Sequence, residues 1–355
     1  MRISVPAGSL RDALNRARQL IPATPSLLAY SGVLLQTVAE DALRVTSSDG
    51  DSTFTVSVPV KVDAPGQVLI APRPLLGLLQ SLPPGGEIEL AVSEVGDIVV
   101  TGPGINPYSF RPMTATFPVP TTPASGVRPE KLSSLADGLA LVRAAAGRDT
   151  PVVQVVSDGD LLVLHTTDGF RLARVTLPGA GFGTFTGVLS LQVVDRVARM
   201  SPEEVTVDLK ARTLAFRGES AILTTRMLAT PFPAVETVLL NAPSPVTTCV
   251  AGEVAASLAR LAAIVEQGTI SLEFSGSELH LRASAAEVGA GHEVVALRTP
   301  VPSTFQLQLR APYLADAVGA FGDGDVSIAY SGALQPLFLS GSAFSLTHVV
   351  MPVRS

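Results

Sequence analysis

Thr167-Asp168-Gly169-Phe170-Arg171-Leu172-Ala173 stands at the end of a β-patterned run near the middle of the chain, and the rest of the sequence is best read outward from it. Thr-Asp-Gly is turn chemistry, and Arg-Leu-Ala returns the chain to a strand. Two distant pieces read as partners for this turn: Phe232-Pro233-Ala234-Val235 and the terminal Val349-Val350-Met351-Pro352-Val353-Arg354.

Around that turn the chain repeats itself. In the first copy a helix from Ser9 to Ile21 places Leu10, Leu14, Ala17 and Ile21 on one stripe, with Ser9 as cap and Asp12 in the positive first turn. Strand patterns follow at 32–38, 42–51, 54–60 and 68–71, then a helix at 74–82, then strands at 87–92, 97–101 and 108–113. The second copy reads helix 131–146, strands 152–156, 161–166 and 171–177, helix 191–200, and strands 205–209, 213–217 and 221–227. The third reads helix 253–267, strands 269–274, 278–283 and 292–298, helix 312–321, and strands 325–330, 336–340 and 344–351.

Each copy is about 115–120 residues, too long for a solenoid repeat and right for tandem domains. Each closes on a strand ending in Met: Met113, Met227 and Met351. Phe117-Pro118 and Phe232-Pro233 follow the first two, and Pro-rich stretches at 121–126 and 241–245 mark the boundaries. The expected organisation is α+β, with three similar domains at 1–119, 120–243 and 244–355. Each has antiparallel sheets with two helices over one face.

Apolar residues make up 46% of the chain and charged residues 16%, a composition that folds rather than stays disordered. No apolar run reaches membrane-spanning length, and Met1-Arg2-Ile3-Ser4-Val5-Pro6 does not resemble a secretory signal, so a cytoplasmic location is expected. The one cysteine, Cys249, rules out an internal disulfide framework. A formal charge of −6 argues against coating nucleic acid over the whole surface, but it permits a local basic stripe.

Catalytic motifs are wanting. Gly179-Ala180-Gly181-Phe182-Gly183 lies between two strands, whereas a phosphate cradle needs a helix N-terminus after it. His165, His280, His292 and His348 sit on separate strands without metal-site spacing. Asp49-Gly50-Asp51 and Asp158-Gly159-Asp160 lack the remaining ligands of a calcium loop and read as hairpin turns. No metal or cofactor is expected. The helices carry Arg11, Arg16, Arg18, Arg73, Arg143, Arg148, Arg196 and Arg199 on their polar faces. These form either ordinary solvated surface or a concave lining that meets phosphates without reading bases.

The chain resembles the bacterial sliding clamps, the beta subunits of DNA polymerase III. The matching stretches, in order, are Pro25-Ser26-Leu27 to Gly32-Val33-Leu34-Leu35, Ala71-Pro72-Arg73, Thr167 to Ala173, Phe232-Pro233 and Met351-Pro352-Val353-Arg354. The resemblance implies the DNA-clamp fold, three domains per chain, closing head to tail as a homodimeric ring around duplex DNA. It implies a processivity factor and not an enzyme. DNA polymerase III alpha subunit, the clamp loader and repair polymerases would then dock through short peptides of the Gln-x-x-Leu-Phe type.

Carried over residue by residue, the peptide pocket comprises Thr167, Gly169, Phe170, Arg171, Leu172, Pro233, Val238, Val349, Met351, Pro352, Val353 and Arg354. Exposed apolar groups at a chain end are costly unless they line a groove that a partner's aromatic or Leu anchor fills; otherwise 349–353 is the last core strand. The ring contact would join Tyr108 and Phe110 of one chain to Ile264 and Val265 of the other, although interior packing also accounts for these. Thr24 and Thr237 stand where basic residues are common in the family, and the chain ends in Ser355. These departures leave room for a divergent copy serving repair or resisting an inhibitor, or for a peptide-binding scaffold that does not retain DNA.

Overall fold

The computed structural model describes residues 1–118, 133–147, 151–178, 183–200, 202–341 and 345–353. Arg148, Arg354, the 121–126 linker and most of the 179–183 glycine loop lie outside them. The helices are α1 (Ala7–Arg18), α2 (Pro72–Gln80), α3 (Ser133–Arg143), α4 (Leu191–Met200), α5 (Glu236–Leu240), α6 (Ala251–Leu261) and α7 (Ala311–Gly319). None is long and apolar enough to cross a membrane.

The chain packs as two compact units, Met1–Pro129 with Met200–Arg226, and Glu130–Arg199 with Met227–Ser355. In the first unit a five-stranded antiparallel sheet runs Lys61–Ala64, Arg2–Pro6, Glu87–Val92, Ile98–Gly102, Ile105–Phe110. A seven-stranded sheet runs Glu204–Asp208, Thr213–Arg217, Ala221–Arg226, Ser52–Pro59, Ala42–Ser48, Val33–Val38, Gln67–Ile70. α1 packs on α2 and on the strands Ala42–Ser48 and Ser52–Pro59. Leu10, Leu14 and Ala17, spaced i, i+4, i+7, are fully buried. Each buried Leu contributes about 1.5–3 kcal/mol, so this stripe holds the helix on its sheet.

The second unit holds an eight-stranded sheet in the order Thr184–Ser190, Val152–Asp158, Leu161–Thr167, Arg171–Pro178, Leu346–Val350, Leu337–Gly341, Asp325–Ala329, Thr247–Val250. A four-stranded sheet runs Gly289–Ala296, Glu278–Ala285, Thr269–Ser275, Phe305–Arg310. α3 lies over Arg171–Pro178 and Leu161–Thr167, and α6 packs on α7. Within each unit the largest sheet draws strands from two of the three expected sequence segments. Strand Ala221–Arg226 pairs with Ser52–Pro59, and Arg171–Pro178 pairs with Leu346–Val350.

Several local expectations need correction. α1 begins at Ala7 after Pro6, so Ser9 is not its cap and no acidic residue lies in its first turn; Asp12 sits one turn further in. Pro72 opens α2 two residues earlier than expected, its fixed φ suiting a first helical turn. Strands at Arg2–Pro6, Lys61–Ala64, Thr184–Ser190, Thr247–Val250 and Phe305–Arg310 and the short helix α5 were not foreseen.

Candidate functional site

Thr167 Oγ1 donates to the Arg171 carbonyl at 2.7 Å and accepts from the Gly169 amide at 3.1 Å. Asp168 Oδ1 accepts the Phe170 and Arg171 amides, both at 2.9 Å, while Oδ2 takes the Arg171 Nε–H at 3.0 Å. Gly169 supplies the positive φ, +86°. The amides of Asp168, Gly169, Phe170 and Arg171 are thus all bonded within the turn, and the Phe170 side chain is left 63% exposed.

Arg171 is fixed from three sides. Its guanidinium lies 4.4 Å from the Tyr313 ring centroid and reaches the Asp316 carboxylate as well as Asp168. Cation–π contact and charge-assisted bonds of this kind pin the turn to α7. A hollow of about 530 Å³ opens beside it, lined by Gly147, Phe170, Arg171, Gln267, Arg310 and Tyr313 among others.

From the turn the backbone runs antiparallel to the C-terminal strand, Leu172 opposite Val349. The Met351 amide bonds to the Phe170 carbonyl at 2.8 Å and the Val353 amide to the Gln308 carbonyl at 2.8 Å, so the tail stays beside the turn. Leu172, Val235, Ala329, Phe338 and Val349 form one buried cluster, with Phe232 and Leu239 packed on it. Above that floor stand Phe170, Val238 (39% exposed) and Met351 (38% exposed). Pro233 is exposed, and Pro352 and Val353 are half-buried. Segments 167–172, 232–239 and 349–353 therefore do converge. Tyr313, Asp316, Phe338 and Leu239 were not anticipated at this site; the 3.6 spacing of Tyr313, Asp316 and Ala317 on α7 was the available signal for the first two.

The same turn occurs in the first unit. Ser48 Oγ donates to the Ser52 carbonyl at 2.7 Å, Asp49 Oδ1 accepts the Asp51 and Ser52 amides, and the Arg226 amide bonds to the Asp51 carbonyl at 2.9 Å. Gly50 has φ +104°. Here Asp51 and Ser52 stand where Phe170 and Arg171 stand, so of these two turns the one at 167–171 alone presents an apolar edge.

The arginines expected on a concave lining are unequal. Arg18 and Arg73 are exposed and border one hollow of about 680 Å³. Arg11 pairs with Asp12 at 3.5 Å, and Arg16 donates to Ser220 Oγ at 3.2 Å. Arg143 is held in a two-point pair by Asp195, which cancels much of its charge. Arg196 is buried, a correction to its expected exposed place: Val193, Val194, Arg196 and Val197 share the broad apolar face of α4. Arg199 is exposed.

At the expected ring contact, Tyr108 is exposed and Phe110 half-buried on Ile105–Phe110, an edge strand. Ile264 and Val265 follow α6; Ile264 packs against the core, and Val265 is buried in it. Strand Gly289–Ala296 is one of the two edges of the four-stranded sheet.

Burial pushes His165 and His348 down to about 4; His165 stacks on Phe232 with centroids 6.5 Å apart. Burial pushes the Cys249 thiol up to about 12, which makes it an inert core group. The sequence left the four histidines apart, yet His280 and His292 meet, as described below.

Residues 1–125 match the family model for the DNA polymerase III beta subunit, N-terminal domain. The beta sliding clamp of Streptomyces coelicolor is 25% identical over 383 residues, covering 100% of this chain and 99% of that protein. That of Chlamydia muridarum is 24% identical over 368 residues with the same coverage. The Pseudomonas aeruginosa sliding clamp, in its crystal structure with griselimycin bound, superimposes with a TM-score of 0.88 over 100% of both chains at 20% identity. The fold is that of a DNA clamp over the full length of the chain. Its N-terminal third matches the DNA polymerase III beta-subunit family, and its whole length is similar to bacterial beta sliding clamps.

Proposed function

We propose that this sliding clamp closes as a homodimeric ring of three domains per chain, bounded at 1–119, 120–243 and 244–355, and slides on duplex DNA. It tethers the polymerase III alpha subunit, and in turn the clamp loader and repair polymerases, by capturing a short apolar peptide. The observation that carries this reading is the convergence of 167–172, 232–239 and 349–353 on one buried floor, with Phe170, Val238 and Met351 exposed above it. A monomer gains nothing from a 63%-exposed Phe on a rigid turn; a partner's Leu-Phe anchor gains by covering it. Thr167, Gly169, Arg171 and Leu172 shape one wall, Pro233 and Val238 the second, and Val349 to Val353 the third.

Ring closure would pair the free edge carrying Tyr108 and Phe110 with the edge strand Gly289–Ala296 of a second chain, Ile264 lying beside it. Edge strands left bare invite such pairing. Duplex DNA would be met by Arg18, Arg73 and Arg199, with Arg11, Arg16 and Arg148 in support.

Met351→Ala should weaken a Gln-x-x-Leu-Phe peptide about tenfold by fluorescence anisotropy, the loss expected for one apolar anchor, with the dimer mass unchanged. Unaltered peptide affinity, or loss of the dimer, refutes the assignment. A second reading, a peptide-binding scaffold with little hold on DNA, is favoured by the neutralised Arg143 and the buried Arg196.

A further inference from the structure

The hairpin Glu278–Ala285 / Gly289–Ala296 carries two histidines on one face, diagonal across the strands: Arg282 lies opposite His292, and His280 opposite Val294. Their rings stack at 5.3 Å between centroids, and His280 Nδ1 faces His292 Nε2 at 3.1 Å. On the other side of the first ring, His280 Nε2 lies 3.3 Å from the Glu278 carboxylate. We propose that His280 and His292 form a two-imidazole site for a divalent transition metal, Zn²⁺ or Cu²⁺.

Three observations support this. Two nitrogens bound to one tetrahedral Zn²⁺ stand about 3.3 Å apart, close to the gap already present. Glu278 takes the Nε2–H of His280 and so leaves the Nδ1 lone pair facing His292, the carboxylate–histidine arrangement that orients a metal ligand. The neighbouring cation is neutralised, since Arg282 is held by Glu273, which also accepts from Gln306 Nε2 at 3.0 Å. On binding, the proton on His292 Nε2 shifts to Nδ1 and both facing nitrogens donate to the ion; water completes the shell. The chain's other two histidines and its cysteine are buried, so they offer no competing surface site.

The test is titration of the full chain with ZnSO4 by calorimetry and with CuSO4 by electron paramagnetic resonance. One ion per chain is expected, with splitting from two imidazole nitrogens. His280→Asn and His292→Asn should each weaken binding at least about tenfold, and Glu278→Gln about tenfold as a positioning change. Circular dichroism confirms that these surface variants fold. Equal affinity in wild type and the double Asn variant, or a copper signal without imidazole splitting, overturns the site.

Discussion

Two imidazoles sealed into the second unit make its stability depend on acidity in a way that can be calculated. His165 is 5% exposed and His348 2%, and each has an Nε2 facing no hydrogen-bonding protein group among the described residues. Both fall from 6.5 to about 4, with burial as the largest cause. A histidine depressed in the folded state takes its proton more readily when unfolded. Stability is therefore full above pH 6.5 and is lost as the pH falls from 6.5 toward 4. Between pH 8 and pH 5 the cost is about 2 kcal/mol for each residue, about 4 kcal/mol together. That is a large part of an ordinary domain's 5–15 kcal/mol. The assay is urea unfolding at both pH values, followed by hydrogen exchange of amides in Leu161–Thr167 and Leu346–Val350. Replacing both residues with Leu should flatten the dependence. If wild type and the double variant lose stability equally between pH 8 and pH 5, the histidines are not responsible.

Gly169→Val forces a β-branched residue to φ +86° and should cost about 1–2 kcal/mol in unfolding midpoint while loosening peptide capture. Arg171→Met frees the turn from Asp168, Asp316 and Tyr313. It should lower peptide affinity severalfold, with faster exchange of the Phe170 amide as the check. Phe170→Ala should weaken the peptide about tenfold with no loss of thermal stability, because that ring is exposed.

Much of this was legible beforehand because it is written locally. The helix expected at 191–200 is observed as Leu191–Met200, where Val193, Val194 and Val197 share the buried face, and Thr167-Asp168-Gly169 marked its turn without help from distant residues. What was hidden depends on partners far along the chain. Arg2–Pro6 is short and ends in Pro, and it is a strand only because it pairs with 61–64 and 87–92. Arg143 looks like a free cation until α3 and α4 bring Asp195 to it. Helical spacing places Arg196 on the apolar face, but a charged residue read alone is assigned to water. His280 and His292, twelve positions apart, meet only because the hairpin register sets them diagonally. The three segments of the groove were legible in the sequence; that Leu172, Val235 and Val349 share a buried floor with Ala329 and Phe338 depends on strand pairing far along the chain.

A clamp's hold on DNA is topological, so the most direct test is retention. The protein, loaded onto nicked circular DNA and onto the same DNA linearised, is followed by gel filtration at moderate salt. Persistence on circles with loss from linear ends is the predicted result. Equal retention on both forms, or release from both, would contradict a closed ring.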